Sequence, residues 1–326
     1  MKIIFLNTCN IGDTYFSQPF VKNIITNNSN NEYYIYNRFN TFNFTEYFNI
    51  KDVNKIPEFK EEINKIFNFV VNYDEVINYN NINHHKYLYN KENNILIINT
   101  WLGIIRESYP TMFDCNLLSY HETYKKFIND INTSINSNIF YENNISLDVY
   151  PIIPTLYTNK FEKFKSINKN KKIIFYYNYL ASSCQPFPIK NLEEHNYIIE
   201  SLAKDNIVIV TNNSCNNINN VYFADDFLEI DENNKNEIYY NCKNLYYYAQ
   251  MANDSNISIY YDNGRSFMYA NKTFIEENNK NIKLHLSLNN YYYNNLNNNI
   301  LVPCDYMKLI IVTDYKDIIE KLKNVI

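Results

Sequence analysis

Short apolar runs recur along the chain, most of them closed by asparagine, and stretches of helical spacing follow them. "KIIFLN" (2–7) reads as a buried strand, because the run is continuous and too short for a buried helix. In "DTYFSQPFVKNIITN" (13–27), Phe16, Phe20, Ile24 and Ile25 recur at helical spacing. Asp13 or Thr14 is expected to cap that helix, and Pro19 to kink it. "EYYIYN" (32–37) is a second strand. "PEFKEEINKIFNFV" (57–70) predicts a helix, with proline first and acids in its opening turn. "NILIINT" (94–100) is the clearest strand of this half, and "LLSYHETYKKFINDI" (117–131) a further helix.

The segment 149–172 holds two prolines and a lysine-rich end, and reads as a linker. Beyond it the alternation restarts. Strands are predicted over 172–178, 206–212, 220–225 and 256–262. Helices are predicted over 192–204, 243–254 and 314–326. Strands alternating with helices indicate α/β units with parallel sheets. We expect two Rossmann-like halves, 1–154 and 155–326, with the last helix free to return to the N-terminal half.

Composition narrows the function classes. Apolar residues make up 46% of the 326 and aromatics 17%, enough for packed cores. The excess of Asn, Tyr, Ile and Lys matches A/T-rich codons, so the Asn-rich tracts read as drift in surface loops from an AT-rich genome. The net charge of −5 leaves no electrostatic footprint for nucleic acid, and an aromatic-rich RNA-binding protein is disfavoured on that ground. The 6 cysteines form no CxxC pair and no histidine stands at zinc-finger spacing. "MKIIFL" is interrupted too early for a signal peptide, and no apolar run reaches membrane-span length. A cytoplasmic protein with reduced thiols is expected.

The chain has only 3 glycines, Gly12, Gly103 and Gly264, each just beyond a predicted strand. Open α/β sheets bind ligands at the carboxyl ends of their strands, and glycine permits a close backbone approach. Taken together they mark a cleft. Asp13 is worth about 1 kcal/mol as a helix cap; facing that cleft, it can take a proton from a bound hydroxyl. "YYDNGRSF" (260–267) joins a turn to a helical stretch. Its backbone N–H groups and Arg265 suit a diphosphate. Ser182 and Ser183 in "YLASSCQPFP" (179–188) suit an oxyanion or a plain turn. Trp101, the only tryptophan, follows the third strand, where it serves the core or stacks on a sugar. GxGxxG, GxxxxGK[ST], GxSxG and DxD are absent. His84, His85, His121 and His195 have no partner motif for a metal.

Three segments resemble the heptosyltransferase-like glycosyltransferases, family 9, of the GT-B fold. "IIFLNTCNIGDTYFSQPFVKNI" is similar to that family's opening strand, "GD" turn and first helix. "FYYNYLASSCQPFPIKNLEEHNYIIESLA" is similar to the strand, phosphate loop and helix that open its donor domain. "NLYYYAQMANDSNISIYYDNGRSFMYA" is similar to its helix, strand and "D-small-G" turn. The resemblance implies two Rossmann-like domains with parallel sheets facing a central cleft. It also implies an inverting, metal-independent transfer of a hexosyl- or heptosyl-type sugar from a nucleotide-sugar to a glycan or glycoconjugate hydroxyl, with no further cofactor. Asp13 matches the family's proposed base. Ser182, Ser183, Gln185, Lys190, Asp262, Asn263, Gly264, Arg265 and Ser266 fall on the donor side, and Asn10, Gly12, Thr14, Trp101 and Gly103 on the acceptor side. Two positions depart from the pattern: Gln185 stands where the family places a lysine against the diphosphate, and Phe267 where it places a histidine. These departures leave open a lapsed relative that binds a sugar or nucleotide without transfer.

Overall fold

The computed structural model describes residues 1–7, 11–37, 49–68, 85–101, 105, 117–143, 156–178, 191–212, 218–236, 243–261, 282–287 and 308–326. Contacts divide the chain into two compact units, Met1–Pro151 and Ile152–Ile326.

The first unit is built from β1 (Lys2–Asn7), α1 (Ile11–Asn27), β2 (Glu32–Asn37), β3 (Lys51–Asp52), α2 (Pro57–Phe67), β4 (Tyr87–Asn90), β5 (Ile95–Asn99) and α3 (Leu117–Ile135). Its sheet runs β3-β2-β1-β5-β4. All pairs are parallel except β4 with β5, an antiparallel edge hairpin that corrects the expectation of a wholly parallel sheet. The turn of that hairpin is short, which is possible only for antiparallel neighbours. Alternate side chains of β1 face opposite layers. Ile4 and Leu6 pack with Phe59 and Ile63 of α2. Phe5 meets Phe20 of α1 edge-on at 6.1 Å, and Phe20 stacks on Tyr124 of α3 at 4.0 Å. Both faces of the strands are therefore buried, which is why their sequence is a continuous apolar run.

The second unit contains α4 (Asn159–Ile167), β6 (Ile173–Tyr176), α5 (Leu192–Ala203), β7 (Ile207–Val210), β8 (Val221–Phe223), α6 (Asn244–Asp254), β9 (Ile257–Tyr261), β10 (Ile282–Ser287), β11 (Lys308–Ile311) and α7 (Tyr315–Lys323). Its sheet is parallel throughout, in the order β11-β10-β9-β6-β7-β8. Numbered within the unit, this is 3-2-1-4-5-6, the doubly wound order of dinucleotide-binding folds. One face packs on α5 and α7 through Ile174, Val208, Ile259, Ile198 and Leu322. Phe175 points to the other face, where its ring lies 6.3 Å from that of Tyr248 on α6.

Several expectations need correction. Residues 159–167, read as linker, form α4: Thr158 Oγ1 caps it by accepting from the Phe161 N–H at 3.0 Å, and Phe161 is buried. Of the lysines on α4, Lys163 is exposed, Lys160 donates to the Leu228 carbonyl at 3.0 Å and Lys165 bonds Asp254 at 2.9 Å. β3, β4, β10 and β11 were not anticipated. Each is short or mixed in polarity, so neighbours rather than local pattern make them strands. Finally, α1 begins at Ile11, so Gly12, Asp13 and Thr14 lie in its first turn and neither Asp13 nor Thr14 is the N-cap.

Candidate functional site

In each unit the strand order reverses beside the first strand, between β1 and β5 and between β6 and β9. The crevice outside the carboxyl ends at such a switch point is where open α/β sheets take ligands. A set of buried asparagines closes these strand ends: Asn7, Asn37, Asn99 and Asn178. Their signal was already present, since "FLN", "IYN", "IIN" and "YYN" each end an apolar run in the same residue.

At the first switch point the Asn7 amide donates to Thr100 Oγ1 at 3.1 Å. Thr100 Oγ1 in turn donates to the Leu6 carbonyl at 3.1 Å, and its N–H to the same carbonyl at 2.8 Å. Tyr124 of α3 donates to the Thr100 carbonyl at 2.8 Å. Asn99 Oδ1 accepts from the Trp101 N–H at 2.9 Å, and its amide donates to the His85 carbonyl at 3.2 Å. The Leu6 and Thr100 carbonyls and the Trp101 N–H are thus satisfied at the ends of β1 and β5, as buried backbone requires. Trp101 is held there half-buried.

At the second switch point Asn178 Oδ1 accepts from the Thr211 N–H at 2.9 Å, Thr211 Oγ1 at 3.2 Å and the Asn212 N–H at 2.7 Å. Its amide donates to the Asn212 carbonyl at 3.0 Å. β6 and β9 are joined beyond their last paired residues by the Tyr177 N–H to the Ile259 carbonyl, 2.8 Å.

The sequence-derived residues distribute as follows. α1 leaves the carboxyl end of β1 and carries Gly12, Asp13 and Thr14 in its first turn; Trp101 leaves the neighbouring carboxyl end of β5. Gly12, Asp13, Thr14 and Trp101 thus follow adjacent strands. Thr14 is fully buried, and Gly12 does not adopt positive φ. Asn10, Gly103, Ser182, Ser183, Gln185 and Lys190 lie outside the described residues, as do Asp262, Asn263, Gly264, Arg265 and Ser266. The last described residues before those donor-side segments are Asn178, just past β6, and Tyr261, the end of β9.

Two histidines are packed into the units. His121 Nε2 lies 2.9 Å from the Asn143 carbonyl, which can only accept, so Nε2 carries the proton and Nδ1 accepts from Tyr141 at 3.2 Å. Burial pushes the Tyr141 phenol well above its usual range. His195 Nδ1 lies 3.2 Å from the Tyr176 hydroxyl, and burial pushes its pKa down to about 4, so it stays neutral. Among the described residues no group of three His, Cys, Asp or Glu side chains is placed to hold a metal ion, and no helix is long and apolar enough to cross a membrane.

The backbone path is similar to that of bacterial heptosyltransferases. E. coli heptosyltransferase WaaC with ADP superposes at a TM-score of 0.43 with 8% identity, over 100% of this chain and 96% of that one. E. coli ADP-heptose lps heptosyltransferase II gives 0.41 with 9% identity, over 100% and 98%. A family 9 glycosyl transferase from Veillonella parvula gives 0.41 with 8% identity, over 100% and 90%. At such scores the likeness describes the course of the chain and bears on no residue or reaction. No protein-family model matches the sequence, and no curated protein matches it.

Proposed function

We propose that the protein is a glycosyltransferase that moves a sugar from a nucleotide-sugar to an acceptor hydroxyl with inversion and without a metal. The observation that carries this reading is the topology of the second unit. Its 3-2-1-4-5-6 sheet has its switch point between β6 and β9, and the two segments that resemble a donor-binding loop and a "D-small-G" turn are those that follow β6 and β9.

In this reaction Asp13 takes the proton of the acceptor hydroxyl, whose oxygen then attacks the anomeric carbon. The bond from that carbon to the diphosphate oxygen breaks in the same displacement, so the configuration inverts. The leaving diphosphate takes its bonding electron pair away as an oxyanion. Without a metal, that charge is met by aimed N–H dipoles and by Arg265 or Lys190. Trp101 offers the acceptor sugar a platform at the end of β5. The units serve acceptor and donor respectively.

The decisive experiment incubates the protein with a panel of labelled nucleotide-sugars and glycan acceptors, after a thermal-shift screen has found the nucleotide that raises Tm. Transfer with inverted linkage that persists in EDTA supports the proposal. Nucleotide binding without transfer or donor hydrolysis across the panel supports a lapsed binding protein instead, a reading motivated by Gln185 and Phe267.

A further inference from the structure

The first unit carries a concavity at the amino end of its sheet. Residues preceding the amino ends of β1, β2 and β5 reach it, whereas the candidate site lies at the carboxyl ends. It measures about 300 Å³, at the small end of ligand-sized pockets. Its walls include Tyr89 of the edge strand β4, Asn94 of the β4–β5 turn, and Ile135, Asn136, Ser137 and Asn138 at the end of α3.

The chemistry of this lining is selective. Among the described residues no charged side chain lines it, and the one charged group on its wall is the Met1 α-ammonium. Amides and a hydroxyl offer donors and acceptors together, in the mixture that a polyol presents. Tyr89 adds an aromatic ring with a polar tip, and Ile135 a small apolar surface. The carbonyls of the last turn of α3 put the negative end of a helix dipole there, which favours hydroxyl donors and offsets the Met1 α-ammonium.

The walls are also held in place. Asn132 pairs with the Ile139 backbone at both N–H and carbonyl, 2.8 Å each, and its own carbonyl accepts from the Ser137 N–H at 3.0 Å. The Asn94 carbonyl accepts from the Lys2 N–H at 3.0 Å. Asn94 and Asn136 both adopt left-handed backbone, with φ of 53° and 52°, so two tight turns present exposed amides to one hollow.

We infer that this hollow is an accessory binding site for a neutral glycan, separate from the site of transfer. It requires no transferase activity, so it and the proposed reaction stand or fall independently.

The test is a glycan array carrying neutral hexose and N-acetylhexosamine oligomers beside sialylated and sulfated ones, followed by calorimetry with the best-retained neutral glycan. The wild type should retain neutral glycans in preference to anionic ones. The double substitution Asn94→Gly with Asn136→Gly deletes both amides while keeping backbone that glycine adopts freely. It should weaken binding about tenfold at unchanged Tm. Asn138→Ala, at an exposed position without left-handed backbone, should weaken it a few-fold. Asp13→Ala should bind the glycan as the wild type does. Failure to retain any neutral glycan, a preference for anionic ones, or unchanged affinity in the glycine double variant and Asn138→Ala overturns the inference.

Discussion

Asn7 closes the first strand of the first unit, and Asn178 lies just past the first strand of the second; both are buried, yet they bind in opposite directions. Asn7 reaches across the switch point to Thr100, beyond β5. Asn178 turns away from its switch point and clasps Thr211 and Asn212, beyond β7. In the first unit a side-chain bridge spans the crevice beside β1. In the second, a main-chain bond from Tyr177 to Ile259 joins β6 to β9, as one from Thr100 to Leu6 joins β5 to β1 in the first, and the Asn178 amide is committed elsewhere. The same residue type thus seals one switch point and steadies the flank of the other.

The largest expected effect tests the role given to the first unit. Asp13→Ala should lower turnover by roughly 10²–10⁴-fold while leaving nucleotide affinity unchanged, as loss of a general base does. Normal turnover in this variant removes Asp13 from the chemistry. Next is the asymmetry itself. Asn178→Ala leaves the buried Thr211 N–H without its acceptor and should cost about 3 kcal/mol, whereas Thr100→Val, which removes a single hydroxyl, should cost about 1–2 kcal/mol. Urea titrations of the two variants compare them, and equal losses would erase the distinction between the two strand ends.

A third effect separates the units by pH. His195 in the second unit has its pKa lowered from 6.5 to about 4 by burial, so the folded form resists the proton that the unfolded chain accepts. Stability is then full above pH 6.5 and falls as pH drops toward 4, by roughly 3 kcal/mol in total. His195→Gln should flatten this dependence in denaturation curves; an unchanged slope would assign the acid sensitivity to other groups. Smaller again, Arg265→Ala should weaken nucleoside diphosphate binding about tenfold, as loss of one charge-assisted contact does. Calorimetry showing equal affinity would take Arg265 out of the donor crevice.

The smallest effect concerns glycine. Asn68, the C-cap of α2, has φ 49° and ψ 45°. Asn68→Gly should change stability by less than about 0.5 kcal/mol and Asn68→Ala should cost about 1 kcal/mol, because a Cβ without a local hydrogen bond is penalised in left-handed backbone. Equal losses in the two variants would show that the Asn68 side chain, rather than its backbone, matters.

That position also shows where reading the sequence went astray. In the sequence Gly12 reads as a turn before the first helix; Gly103 and Gly264 lie outside the described residues. Among the described residues, every residue with positive φ is an asparagine, namely Asn68, Asn94, Asn136 and Asn220, and Gly12 lies inside α1. In this composition asparagine has taken over the left-handed turns, since it is the residue that tolerates them best after glycine. The strands β1, β2, β5, β6, β7 and β9 and the helices α1, α2, α3, α5, α6 and α7 were legible, because burial on both faces or on one stripe writes a local period into the chain. Helix α4 was hidden by the two prolines before it and the lysine-rich stretch after it.

For the candidate site, the sequence supplied the residues capable of chemistry and their order after the strands. Residue type and local spacing are properties of the chain itself. Strand order, the antiparallel edge at β4, and whether Asn7 or Asn178 clasps the neighbour on one side or the other came from long-range pairing. A hydrogen bond between residues 93 positions apart, such as Asn7 to Thr100, leaves no periodic trace in the sequence. It forms only when two strands lie side by side, and it is at such junctions that the sheets acquire their switch points.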